Sequence, residues 1–291
     1  MRTLGSFSPS RCAPTQQNKA SPLLALQPVV KTKQRGLAAV VAAALLSIPL
    51  PATAAPKTVT FPFEDARLLK EGQHEGGMAV VPEGVDRGAA PLIVFLHGKN
   101  GLGPLHAEHA FVRSVVDRLV RGKRIASPIV AAPSQTKDAS IGSHLFTGFS
   151  LAKFVDATQA ALPDGVVIDR SRIILVAHSG GGCNLEGGLV TGASGSLRPR
   201  AVIAIDTCLD GDFGRAYHDA YVPLLAYWES FWMRDIHAFK TQLEGVLAYG
   251  PPLLHRTTML GGIGRDLATA HVQILPAALE YALPQVLSVR R

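Results

Sequence analysis

The chain has 291 residues, 47% of them hydrophobic, with a formal net charge of +7 at pH 7. That charge would suit a nucleic-acid or anionic-membrane partner, but six of the 29 basic residues (Arg2, Arg11, Lys19, Lys31, Lys33 and Arg35) fall in residues 1–54, which hold no acid. The remainder carries 23 basic against 22 acidic residues, which excludes a polyanion-binding surface as the basis of function.

Residues 31–54 have the order of a secretory signal: Lys31, Lys33 and Arg35, the apolar run "GLAAVVAAALLSIPL", then "PATAAP" with small residues at Ala52 and Ala54. A retained membrane anchor needs about 20 apolar residues, whereas this run is shorter and is closed by Pro49 and Pro51. The expectation is cleavage near Ala54 and a secreted or periplasmic product, with no stable membrane anchor. Residues 1–30 are polar, rich in Ser, Pro and Gln, and read as a disordered extension of the leader. Residues 55–291, 237 in number, read as one domain with a large core. This part keeps two cysteines, Cys183 and Cys208, whose spacing fits neither a CxxC redox motif nor a zinc site. In an oxidising compartment they can pair; two buried free thiols is the alternative.

From Lys57 onward, short apolar runs alternate with longer amphipathic ones. "GGMAVVP" and "APLIVFLHG" read as strands, and "HAEHAFVRSVVDRLVRG" reads as a helix carrying Phe111, Val115 and Leu119 on one face. "SPIVAAPS" reads as a strand, "GFSLAKFVDATQAAL" as a helix and "RIILVA" as a β-branched strand. "RAVIAID" and "VPLLAYW" read as strands, "MRDIHAFKTQLEGVLAYG" as a helix, "RTTMLGG" as a last strand and "VQILPAALEYALPQVL" as the closing helix. Continuous apolar strands alternating with helices predict an α/β fold: a mostly parallel sheet covered on both faces.

In such sheets the chemistry gathers at the carboxyl ends of the strands. Ser179 stands there, two residues past "RIILVA", inside "AHSGG". This is the G-x-S-x-G turn with Ala177 in place of the first glycine; the tight turn needs small residues at both outer positions. The reading is a nucleophile, against an incidental serine at a Gly-rich helix start. "IVFLHG" ends the second predicted strand at His97–Gly98. The backbone N–H of Lys99 just after it would face that of Gly180, and two such donors make an oxyanion hole. A base after the serine must be His218, His237, His255 or His271. His237 sits inside a helical pattern, His255 precedes a strand, and His218 lies in a loop after "AVIAID"; His271 is favoured because it follows the loop "GGIGRDLATA" and opens the final helix.

The leader, the "FLHG" strand end, "AHSGG" and "AHVQILPAAL" together resemble a secreted serine hydrolase of the α/β-hydrolase fold. The resemblance covers roughly residues 60–291 in layout and implies a Ser-acid-His triad acting on a small-molecule or polymeric acyl substrate, without cofactor or metal. Asp206, ending "AVIAID", is chosen as the acid; Glu229, following "VPLLAYW", is the competitor and occupies the commoner place for it. Asp210, Asp212 and Asp266 read as solvated turn residues. The expected function is carboxylic ester hydrolysis. A peptidase or amidase with the same triad, or a non-catalytic secreted binding protein of the same fold, are the alternatives. Two features are set aside: His106 and His109 in "HAEH" lack the spacing and third ligand of a metal site. The aromatic group Tyr227, Trp228, Phe231 and Trp232 reads equally as a pocket wall or as core packing.

Overall fold

The structure is a computed structural model that describes residues 56–63, 76–83, 85, 88–98, 107–134, 145–229, 235–244, 255–260, 263 and 266–288. The leader and the cleavage region at residues 1–55 lie outside these, as do Lys99, His106, Phe231 and Trp232. Eight strands form one sheet: β1 (Lys57–Phe61), β2 (Gly77–Val81), β3 (Gly88–Leu96), β4 (Ile129–Pro133), β5 (Val166–His178), β6 (Ala201–Ile205), β7 (Leu224–Trp228) and β8 (His255–Met259). Their spatial order is β1-β2-β4-β3-β5-β6-β7-β8. β1 with β2 and β2 with β4 run antiparallel; every pairing from β4 through β3 to β8 is parallel.

Because a parallel strand is covered on both faces, successive residues must both be apolar. In β5, Ile173, Leu175 and Ala177 face one core, and Ile174 and Val176 face the other; β3 and β6 alternate in the same way. The first core is closed by α2 (Leu151–Ala161), α3 (Gly188–Ser194), α4 (Gly211–Ala220) and α5 (Ile236–Glu244). The second is closed by α1 (Ala107–Arg121) and α6 (Leu267–Leu287), which contribute Val112, Val115, Leu119, Ile274 and Leu279 among others.

Five elements differ from the sequence expectation. The helix expected to start at Ser179 is a 3-10 turn over Ser179–Gly182, and α3 begins only at Gly188. β1 is a strand whose pattern is mostly exposed, so no apolar run announces it. β5 extends seven residues upstream of "IILVAH", through the polar stretch Asp169–Arg172, by pairing with the start of β3. α4 begins in the stretch read as a Gly-rich loop, and Asp210 caps it: its carboxylate accepts from the N–H groups of Asp212 and Phe213 at 3.0 and 3.3 Å. α6 begins at Leu267, four residues before His271, because Asp266 accepts from the Thr269 N–H at 2.9 Å. Asp210 and Asp266 are therefore helix caps, which supply an acceptor to otherwise unpaired N–H groups, and His271 sits in the second turn of α6 instead of opening it.

Candidate active site

β5 is buried through Ala177 and His178, and at Ser179 the backbone turns into the left-handed region, with φ of +52°. Non-glycine residues adopt this region uncommonly, and it persists only where surrounding packing enforces it. The packing here is close. A Cβ on Gly181 would lie 2.7 Å from the Leu96 carbonyl oxygen and 2.8 Å from that of His97; one on Gly182 would lie 2.7 Å from the Thr207 methyl. Residues 179–182 form a single 3-10 turn wedged between the ends of β3 and β6, and only glycine fits at both positions. The turn leaves Ser179 half-buried and Gly180 buried.

β6 ends in the same manner. His178 pairs with Ile205 in parallel register, so Ser179 and Asp206 leave neighbouring strands at equivalent positions. Asp206 is also left-handed, with φ of +48°. Its N–H donates to the Tyr227 carbonyl at 2.7 Å, its Oδ1 accepts from the Glu229 N–H at 3.2 Å, and its side chain is wholly buried. The remaining oxygen, Oδ2, accepts a hydrogen bond from His271 Nδ1. That bond fixes Nδ1 as the protonated nitrogen of the neutral ring, which makes Nε2 the basic one.

His271 is held from a second side. His178 Nε2 donates to the His271 carbonyl at 2.8 Å, and the two rings lie 4.6 Å apart at an interplanar angle of 32°. The residue immediately before Ser179 thus anchors the backbone of His271. His178 carries no signal in the sequence, since its partner is a main-chain oxygen 93 residues away. The structure brings Ser179, Gly180, Asp206 and His271 to one end of the sheet. His97, at the end of β3, donates from Nδ1 to the Gly98 carbonyl at 2.8 Å and packs edge-on against Phe146.

Glu229 ends β7 beside Asp206 but bonds to it through its backbone. Burial pushes its carboxyl above the ordinary carboxylate range, the negative charge of Asp206 adds to that, and His271 opposes it. The other histidines are elsewhere. His218 lies in α4, paired with Asp219 at 2.9 Å; His237 lies in α5; His255 opens β8, at the strand end opposite the site. Tyr227 packs into the core beneath α6, and Trp228 packs into the opposite core with Lys240 Nζ 5.3 Å from its ring centre. Both side chains are therefore core residues.

A disulfide joins Cys183 to Cys208, with Cα atoms 4.9 Å apart. It links the end of the Ser179 turn to the loop that follows Asp206.

The chain matches no family model and no curated protein. Solved structures do match. A ferulic acid esterase superposes with a TM-score of 0.57 at 18% identity, over 80% of this chain and 99% of that one. A thermostable esterase gives 0.54 at 22% identity over 80% of this chain and 63% of its own, so this chain spans less than two thirds of its length. A mutant of the feruloyl esterase module from Clostridium thermocellum, complexed with sinapinate, gives 0.53 at 10% identity over 81% and 91%. At these identities the likeness is one of architecture: the chain has the α/β-hydrolase fold.

Proposed function

We propose that the protein is a serine hydrolase that cleaves carboxylic esters through a covalent acyl-enzyme. Ser179 Oγ attacks the ester carbonyl while His271 Nε2 takes its proton. The imidazolium returns that proton to the departing alcohol, and water then repeats the sequence on the acyl-enzyme. Asp206 holds the ring in the required tautomer and balances its charge. The N–H groups of Gly180 and Lys99 receive the oxyanion, Lys99 by its place in the sequence just after His97–Gly98.

The observation that carries this reading is the buried Asp206 carboxylate on His271 Nδ1, with the His271 carbonyl held by His178, the residue before Ser179. The choice of ester over amide is supported by the fold's company, since the ferulic acid esterase and the feruloyl esterase module are named for ester cleavage. Export is part of the proposal. It is supported by the basic, apolar and small-residue order of residues 31–54, and by a disulfide, which persists in oxidising compartments. Among the described residues no helix is long and apolar enough to cross a membrane.

The test is a pair of chromogenic substrates with the same acyl group, a p-nitrophenyl ester and a p-nitroanilide. The reading expects turnover of the ester to exceed that of the anilide and to vanish in Ser179→Ala. Preferential anilide cleavage would make the protein an amidase.

A further inference from the structure

The Ser179 turn and the loop after Asp206 are joined by a covalent bond as well as by packing. Ser179 and Asp206 leave β5 and β6 side by side, each in the left-handed region, so both exits hold a conformation that an unconstrained chain would abandon. The contacts between the exits run in adjacent pairs. Gly182 packs on the Thr207 side chain, the Cys208 N–H meets Cys183 Sγ at 3.0 Å, and Cys183 is bonded to Cys208 across 25 positions of sequence. Cys183 also closes the Ser179 turn, its N–H donating to the Gly180 carbonyl at 3.0 Å. Cys208 lies two residues beyond Asp206. Both cysteines are half-buried, so a small thiol can reach them.

We propose that the Cys183–Cys208 disulfide is a positioning crosslink, which holds Ser179 and Asp206 in register for His271, and that its reduction by a dithiol lowers turnover while the chain stays folded. The inference rests on Ser179 and Asp206 being nucleophile and acid. In the redox step a thiolate of the dithiol attacks one cysteine sulfur, the protein S–S bond breaks, and a mixed disulfide forms. The second thiolate then displaces the protein sulfur. Two electrons and two protons pass to the protein, giving two cysteine thiols and one oxidised cyclic dithiol. With the bond open, the Ser179 turn and the Asp206 loop can relax independently. Asp206 then no longer fixes the His271 ring against the nucleophile. Neither cysteine belongs to a strand, so the strand pairing does not depend on the bond; Cys208 packs at the margin of the first core.

The experiment uses the full chain, oxidised and then treated with dithiothreitol under native conditions. Free thiols, circular dichroism and p-nitrophenyl ester kinetics are followed together. The expected result is a gain of two thiols, an unchanged far-UV spectrum, and a kcat lower by at least about tenfold with KM within about twofold. Reoxidation removes the two thiols and restores kcat. A Cys183→Ala/Cys208→Ala variant should show the low kcat and no response to dithiothreitol. If that variant does not fold, the reduced parent carries the test alone.

A crosslink that served stability only would have its loss lower the melting temperature and leave kcat and KM where they were. Two new thiols with native spectra and kcat within about twofold would overturn the inference, as would unfolding on reduction. Fluorophosphonate labelling of the oxidised protein separates the two readings. Labelling of Ser179 with redox-insensitive turnover removes the positioning role alone, whereas no labelling removes the reading of the site and this inference with it.

Discussion

His178 Nε2 donates to the carbonyl of His271 across 93 residues, so the position before the candidate nucleophile Ser179 fixes the backbone of the candidate base. The contact couples the end of β5 to the second turn of α6. It adds one hydrogen bond and one ring contact to the Asp206 bond that also holds His271. His178→Phe keeps a ring of similar size and removes the donor. A net hydrogen bond contributes about 1 kcal/mol, which corresponds to roughly a five- to tenfold change in rate if it is realised at the transition state. The prediction is a kcat lower by that factor with KM unchanged, and a larger loss in His178→Ala, measured on a p-nitrophenyl ester.

Asp206 and Glu229 end neighbouring strands, yet only Asp206 reaches the imidazole with its side chain. Asp206→Asn should lower kcat by about 10³–10⁴, because the amide favours the wrong tautomer of His271. Glu229→Gln should cost less than about tenfold, since the main-chain N–H that it gives to Asp206 survives the substitution. Steady-state kinetics of the two variants check this; the reverse ranking would move the acid to Glu229.

Gly181 has no room for a side chain, because the atoms a Cβ would meet are the carbonyl oxygens of Leu96 and His97. Backbone at the end of a central strand cannot step aside as a flexible side chain does. Overpacking of this kind costs about 1–3 kcal/mol or more. Gly181→Ala should lower the melting temperature by several degrees and reduce activity together with it, as seen by calorimetry and ester turnover.

Much of this architecture can be read from the sequence, and the failures have physical causes. Strands buried on both faces declare themselves as uninterrupted apolar runs, and "AHSGG" after such a run places Ser179. β1 is hidden because an edge strand need not be apolar, and α4 because its start, Gly211–Asp212, reads as a turn until Asp210 is seen to cap it. The start of α6 is misread for the same reason: "RDLATA" looks like loop, while Asp266 accepts from Thr269 and starts the helix four residues earlier. The contact between Asp206 and His271 depends on a positive φ at Asp206 and on the register of β5 with β6, which are tertiary facts. The sequence favours Asp206 over Glu229 as the candidate acid, and the contact of its side chain with His271 Nδ1 becomes visible only in the structure. Lys99 lies outside the described residues.

His109 faces inward from α1 and is buried, and burial, with the nearby Arg113 charge added, lowers its pKa to about 4. The folded state therefore favours the neutral ring. That contribution is fully present above the ordinary histidine range and is lost as pH falls from about 6.5 towards 4. At about 1.4 kcal/mol per pKa unit, the loss between pH 7 and pH 4 is on the order of 3 kcal/mol. Denaturant unfolding at both pH values should show His109→Gln losing less stability on acidification than the parent does. Equal losses would remove His109 from the acid response.

The central claim, that Ser179 is a nucleophile activated by His271, is tested most directly by covalent labelling with a fluorophosphonate, followed by mass mapping of the modified peptide. The account predicts one adduct, on Ser179, absent from Ser179→Ala. It also predicts labelling slowed by about 10³ or more in His271→Ala, since the hydroxyl there has lost its base. An adduct on another residue, or His271→Ala labelled at the parent's rate, would contradict it.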